Sequence, residues 1–231
     1  MRVLSLFSGI GGFDAGFANA GFDVVWANDF DKYACETYRA NYKNEIVCGD
    51  INQIDISSLP DFDVLIGGFP CQPFSMMGAG LGFGDTRGTL FFRIAEIIDY
   101  RIKAGRKPDA VILENVRALK THDGGRTFKT IKRVLEKDLG YKVFHAVLNT
   151  ADYGIPQMRN RMYIVCFANE NADFSFPAPV PLGLTLQDLL EHDVEEKYYV
   201  SQKMIPTILS NGTGQEQMPA VRAGYTEGRR I

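Results

Sequence analysis

What the chain lacks narrows the field before any motif is read. It has four cysteines, Cys35, Cys48, Cys71 and Cys166, widely spaced, with no Cys-x-x-Cys pair and no nearby histidine partner. That argues against a zinc site or a disulfide framework and for reduced thiols. No apolar run approaches the length of a membrane span, and the amino terminus lacks the basic and apolar regions of a signal peptide. A cytoplasmic protein without a membrane partner is expected. Positive charge is not in excess either: 25 Lys and Arg stand against 28 Asp and Glu, a net charge of −3. Such a balance does not advertise nucleic acid, although binding to phosphates needs only a local basic surface. Internal repeats and low-complexity tracts are also missing.

What remains is an ordinary globular composition, 45% hydrophobic and 23% charged, in 231 residues. That length buries a full core as one domain, or one domain plus a small second one. The stretch Gly67-Gly68-Phe69-Pro70-Cys71-Gln72-Pro73-Phe74-Ser75 follows a short apolar run, Phe62 to Ile66, that suits a buried strand opening into a loop. Its two prolines remove backbone donors and fix φ, so it is neither helix interior nor central strand. A cysteine on a stiff turn at the carboxyl end of a strand can present its sulfur to the crevice where open α/β sheets bind ligands. The plainer alternative is a small buried hydrophobe.

Along the chain, strands alternate with helices. Arg2 to Phe7 reads as a first strand, followed by Ser8-Gly9-Ile10-Gly11-Gly12 and a helix from Phe13 to Ala20. Glycines let backbone approach a ligand and the helix start supplies free N–H groups, a nucleotide-type arrangement. A second strand, Val24 to Ala27, ends in Asn28-Asp29, and an acid some 20 residues after the first glycine can accept from ribose hydroxyls. The Gly-x-Gly-Gly spacing disfavours a dinucleotide and leaves a nucleoside-type ligand. Asp31 to Asn41 reads as a helix with Cys35 on its buried side, and Glu45 to Cys48 as a strand leading to Asp50. Gly78 to Thr89 holds five glycines, a candidate lid or a flexible connector. Leu90 to Ile102 is an amphipathic helix. Ala110 to Leu113 is a strand that delivers Glu114-Asn115, either an ordinary strand end or a second catalytic group facing the crevice of Cys71. The helix Arg126 to Leu139 carries Arg126, Lys129, Lys132 and Arg133, read as a solvated face. Strands follow at Val143 to Leu148 and Met162 to Phe167. Between them, Arg159 and Arg161, at period 2 in an extended segment, can clamp a carboxylate or phosphate. Phe174 to Pro181, with three prolines, suggests a linker wrapping the domain, and Leu184 to Leu190 a short helix.

Four groups of residues then fall into one order: Leu6-Phe7-Ser8-Gly9-Ile10-Gly11-Gly12-Phe13, Gly68 to Ser75, Glu114-Asn115-Val116, and Gln157-Met158-Arg159-Asn160-Arg161. Over about residues 1 to 180 the chain resembles the cytosine-C5 DNA methyltransferases of bacterial and phage modification systems. The resemblance implies an α/β, Rossmann-like methyltransferase fold with a mostly parallel sheet and helices on both faces. It places a catalytic domain at 1–180 and a linker with an incomplete target-recognition region at 181–231. Cys71 matches the nucleophile that adds to C6 of the base, because C5 of cytosine is itself a poor nucleophile. Glu114 matches the residue acting at ring N3, for which burial would favour a protonated carboxyl. Asn115, Arg159 and Arg161 match positions that order the site, and Gln72 and Ser75 match loop positions near the flipped nucleotide. The implied methyl donor is S-adenosyl-L-methionine. Phe7, Ser8, Gly9, Gly11 and Gly12 match its glycine loop, Asp29 its ribose carboxylate and Phe30 the adenine-stacking position. Asp50 and Ile51 match the adenine edge, and Pro70 and Leu90 further contacts. The implied partner is double-stranded DNA, with a cognate restriction endonuclease acting separately on the same site.

Three departures stand out. Ser5 replaces an acidic residue of many members, Phe30 a common tryptophan, and the family's last motif is not found before Ile231, so a C-terminally shortened chain is expected. An RNA-directed relative, a cofactor- or DNA-binding protein without turnover, and a small-molecule methyltransferase are the competing readings.

Overall fold

Short runs of Val, Ile and Leu separated by polar turns build one seven-stranded sheet in the computed structural model, which describes residues 1–70, 90–191, 194–195 and 198–206. The strands are β1 (Arg2–Leu6), β2 (Asp23–Asp29), β3 (Ile46–Cys48), β4 (Val64–Gly67), β5 (Ala110–Val116), β6 (Lys142–Asn149) and β7 (Asn160–Phe167), with α1 (Gly12–Asn19), α2 (Lys32–Asn41), α3 (Leu90–Lys103) and α4 (Arg126–Arg133). Their order across the sheet is β3-β2-β1-β4-β5-β7-β6. The pairs from β3 to β5 are parallel, whereas β7 runs antiparallel to β5.

Alternation along each strand gives the sheet two apolar faces. Leu4, Leu6, Leu65, Val111 and Leu113 pack with Phe91, Ile94, Ile97 and Ile98 of α3 and Phe128 and Ile131 of α4. On the opposite face, Val3, Val24, Val64, Ile66 and Ala110 meet Phe13 and Phe17 of α1, and Ala27 and Ile46 meet Cys35 and Tyr38 of α2. Cys35 is buried, as its place in the helical pattern predicts. α2 starts where a side chain starts it: the Asp31 carboxylate accepts from the N–H groups of Tyr33 and Ala34.

Several boundaries differ from the sequence reading. β2 continues through Asn28 to Asp29, β5 through Glu114 and Asn115 to Val116, and β7 begins two residues early at Asn160. Polar residues that look like strand termini therefore lie within paired strand, because the neighbouring strands continue to supply ladder partners. β4 is shorter, starting at Val64, and α4 widens into a looser turn over Val134–Asp138. The basic residues of α4 are largely matched by acids, Arg126 by Asp123, Lys132 by Glu136 and Arg133 by Asp138, as a solvated face would be. After β7 the chain lies against the domain: Phe174 stacks edge-on against Phe144 and packs on Phe167 and Phe176.

The chain divides into two compact units, Met1–Leu148 with Asn160–Pro177, and Asn149–Arg159 with Ala178–Ile231. In the second, Tyr153 bridges to Val180, and Thr185 and Asp188 form a capping box over the turn Leu186–Leu189. Among the described residues no helix is long and apolar enough to cross a membrane.

Below the sheet's amino edge, buried Arg101 of α3 donates to Asp61 at 2.6 Å and to the carbonyls of Leu59 and Pro60, and Arg106 also reaches Asp61. The Arg101 hydrogen bond, with the charges of Arg106 and Arg101, holds the Asp61 carboxyl below its ordinary value against a smaller effect of burial. A depressed carboxyl contributes stability above its unfolded value and loses it as pH falls through the folded one. Asp61→Asn is thus expected to lower the melting temperature at pH 7, with the difference from the parent closing as pH drops below 3.8. Parallel thermal scans from pH 7 to pH 3 check this; a constant offset across that range would refute it.

Candidate active site

Register brings the chemistry to one edge. Val47, Asn28, Leu6, Gly67 and Leu113 lie side by side across β3, β2, β1, β4 and β5. The residues just beyond them, Phe7 to Gly9, Asp29-Phe30, Gly49-Asp50, Gly68 to Pro70 and Glu114, all emerge at the carboxyl edge, where open α/β sheets bind ligands.

The turn after β1 is wound tightly enough to need glycine. Gly11 has φ 93° and Gly9 φ 56°, and Phe7, an ordinary residue, is held at φ 55°. Ser8 N–H donates to Asn28 O at 2.9 Å, and Gly11 N–H returns to Ser8 O at 2.9 Å. The Asp29 carboxylate accepts from Gly9 N–H at 2.8 Å through Oδ2 and from Asp31 N–H at 2.9 Å through Oδ1. It is therefore a strut of the loop, and it keeps acceptor capacity, since each carboxylate has about four lone-pair sites. No side chain caps α1, so its first amides face the edge. Phe30 next to Asp29 is 76% exposed, a bare ring at a site otherwise well packed. Asp50 is exposed and accepts from the Asn52 N–H at 2.9 Å, while Ile51 beside it is buried with its carbonyl held by Arg93. Leu90 is half-buried and opens α3.

At the other end, antiparallel pairing sets Glu114 opposite Tyr163 and Val116 opposite Arg161, which puts Glu114 and Arg161 on one face as diagonal neighbours. Arg161 Nε meets Glu114 Oε1 at 2.8 Å, both side chains about four-fifths buried. Glu114 is thus largely buried, as the sequence reading asks, and it is also paired with a guanidinium. Glu114 Oε2 turns to Gly68, where an added Cβ would lie 3.5 Å away. Asn115 points to the other face and is 2% exposed; its Nδ2 donates to Phe69 O at 2.8 Å while Oδ1 accepts from Val116 N–H. This side chain anchors the turn that leads into Cys71. Pro70 is exposed at the end of that turn. Cys71, Gln72, Ser75 and the Gly78 to Thr89 loop lie outside the described residues, as do residues 207–231. Arg159 falls in the second unit, exposed, with its carbonyl accepting from Thr150 N–H at 3.2 Å.

Asn115→Ala strands the buried Phe69 carbonyl and leaves a small void. A stability loss of about 1–3 kcal/mol is expected, the usual cost of an orphaned buried acceptor. Urea unfolding measures it, and a change under about 0.5 kcal/mol, the range of neutral surface substitutions, would refute the anchoring role.

Sequence reading missed Asp14, Tyr38 and Tyr42 under the glycine loop, and it noted Ser5 only as a departure from an acidic residue. Asp14 of α1 is fully buried and accepts from Ser5 Oγ at 2.9 Å and Tyr38 Oη at 2.6 Å, and Tyr42 Oη donates to Gly11 O at 2.7 Å. The tyrosine pair at i, i+4 on α2 was the available signal.

An open sheet with one reversed strand, helices on both faces and a glycine turn between β1 and α1 is the architecture of S-adenosylmethionine-dependent methyltransferases. Solved structures agree: the S. pombe Dnmt2 methyltransferase superposes with a TM-score of 0.70 over 89% of this chain and 66% of that one at 23% identity. The Entamoeba histolytica methyltransferase EhMeth gives 0.69 over 89% of this chain and 64% of that one at 22% identity. The family model for C-5 cytosine-specific DNA methylases matches residues 1–227, and the chain belongs to that family. It is 49% identical over 205 residues to the Type II methyltransferase M.NlaX of Neisseria lactamica, covering 88% of this chain and 64% of the relative. With M.HaeII of Haemophilus aegyptius it shares 46% over 222 residues, 95% of this chain and 67% of the relative. The chain thus spans less than two thirds of M.NlaX. The family is one of S-adenosyl-L-methionine-dependent enzymes.

Proposed function

We propose that the chain carries the catalytic part of a DNA cytosine-C5 methyltransferase of a restriction–modification system, acting on a cytosine flipped out of duplex DNA. The observation that carries this reading is the Glu114–Arg161 pair, set beside Gly68 at the same sheet edge as the glycine turn. A base inside a duplex is unreachable, and extruding it brings its ring to such an edge.

The residues present fit the donor. The uncapped start of α1 and the Gly9–Gly11 turn offer backbone N–H groups and close approach, Asp29 accepts from ribose hydroxyls with its remaining lone pairs, and the bare ring of Phe30 stacks on adenine. Asp50 and Ile51 bound the adenine edge, and Pro70 and Leu90 complete the cleft with Phe7, Ser8 and Gly12. S-adenosyl-L-methionine bound there supplies a methyl group made electrophilic by its sulfonium. Cys71, as thiolate, adds to C6, and the displaced ring electrons are taken up at N3, where Glu114 Oε2 supplies a proton. Arg161 holds Oε1 and so fixes which oxygen faces the base. Asn115 sets the turn that carries Cys71, while Gln72, Ser75 and Arg159 steady the nucleotide. Once C5 carries the methyl group, a water molecule takes the C5 proton, the electrons of that C–H bond re-form the C5–C6 double bond and expel the Cys71 sulfur, and N3 returns its proton to Glu114. Double-stranded DNA is the partner, with a cognate endonuclease acting separately.

The test incubates the chain with donor and duplex DNA containing 5-fluorocytosine, whose fluorine blocks the final elimination. A denaturation-resistant adduct with the parent and none with Cys71→Ser is expected. Donor binding without adduct would overturn turnover, and methyl transfer to RNA alone would overturn the substrate.

A further inference from the structure

A carboxyl group that the chemistry above does not use lies at the centre of a hydrogen-bonded chain through four elements. Ser8 of the glycine turn shares a 2.9 Å hydrogen bond with Ser5 of β1, and Ser5 donates to Asp14 of α1. Tyr38 of α2 donates to the other oxygen of Asp14, and Asn44, before β3, donates to Tyr38 Oη at 2.7 Å. Asp14, Ser5 and Tyr38 are all at most 1% exposed. Leaving water pushes the Asp14 carboxyl up, against the opposing hydrogen bonds of Tyr38 and Ser5. A buried acid of this kind is costly, and it is tolerated only when its acceptors are filled. α2 is tied to the loop a second time by Tyr42, whose ring lies 4.5 Å from that of Tyr38 and whose hydroxyl holds the Gly11 carbonyl.

This chain joins the elements that carry the two halves of one cleft. Ser8 and Gly11 belong to the turn that receives the donor's charged portion, whereas α2 begins directly after Asp29-Phe30, the ribose and adenine side. We propose that Asp14 is a positioning residue for the methyl donor: by accepting from Ser5 and Tyr38 it fixes the glycine turn relative to α2, so that both halves of the cleft hold one geometry before the donor binds. This inference rests on the reading of that edge as the donor site. Preorganisation of this sort is felt in affinity, because an untethered cleft must be ordered at the moment of binding.

The experiment measures S-adenosyl-L-homocysteine affinity by calorimetry and unfolding temperature by thermal scans on the full chain. Asp14→Leu removes both acceptors and is expected to weaken binding roughly tenfold, and Asp14→Asn, which keeps an acceptor, to stay within about threefold of the parent. Tyr38→Phe, a gentler change should Asp14→Leu not fold, is expected to weaken binding about threefold. Asp61→Asn is the control for general destabilisation: it lowers the melting temperature from a remote ion pair and leaves affinity within about twofold, as distant sites behave independently. Equal affinity in the parent, Asp14→Leu and Tyr38→Phe overturns the inference alone, as does an affinity loss in Asp61→Asn proportional to its melting shift. A parent without measurable affinity for the homocysteine product overturns the donor-site reading together with the inference.

Discussion

Gly11→Ala is expected to cost about 3 kcal/mol or more of folding stability and to abolish donor binding. A left-handed conformation costs an L-residue roughly 1–2 kcal/mol, and Gly11 sits at φ 93°. The added Cβ would also lie 2.3 Å from Cε2 and 2.7 Å from Cζ of the Tyr42 ring. The ring cannot swing aside cheaply, since its hydroxyl is bonded to the Gly11 carbonyl and its face is stacked on Tyr38. Either the turn opens or α2 moves, and both disrupt the cleft. Gly9→Ala is the internal comparison. Its φ of 56° lies in the left-handed region, yet nothing lies within 4 Å of an added Cβ, so only the conformational cost of about 1 kcal/mol applies. Denaturant unfolding of both variants separates the two contributions; equal losses would show that the Tyr42 contact is not the cause.

Arg101→Ala is expected to cost about 3 kcal/mol, the upper end for orphaning buried acceptors, and the cost comes from the carbonyls it serves because Asp61 itself is half exposed. Arg101 is 4% exposed, and its guanidinium joins Asp61 to the carbonyls of Leu59 and Pro60 while lying 5.0 Å from the Phe62 ring. Removal orphans two carbonyls, leaves Asp61 to Arg106 alone and opens a void under α3. For a chain of this size the melting temperature should fall by roughly 10 °C. Arg101→Met refills the space and should recover part of the loss, because an apolar side chain of similar volume often replaces a buried charge without penalty. Thermal scans of both variants decide it, and an Arg101→Ala shift below about 3 °C would refute the strut.

Residue type at strand ends made much of the edge legible: the glycine turn, Asp29, Asp50, Glu114-Asn115 and Arg161 were readable because apolar runs end where they begin. What could not be read depends on contacts between distant segments. That Glu114 meets Arg161 follows from β7 reversing and lying against β5, a placement set by packing and not by any local pattern. Asp14 looks like a solvent-facing acid in an amphipathic helix until Ser5 and Tyr38 close over it, and Arg101 looks like a helix-end charge until Asp61 reaches it. Asp29 was readable as an acceptor, but its use as a brace for Gly9 was not, since that requires the loop's fold. Boundaries shifted by one to three residues for a related reason: pairing continues as long as a neighbour supplies partners, and no single strand records its neighbour's length.

The reversal of β7 also bears on how such chains change length. Seven consecutive pairs, from Ala110 with Phe167 to Val116 with Arg161, lock the two strands together. A slip of one place would turn Arg161 to the far side of the sheet. Insertions or deletions ahead of Asn160 are therefore absorbed before the ladder begins and leave the guanidinium where it is.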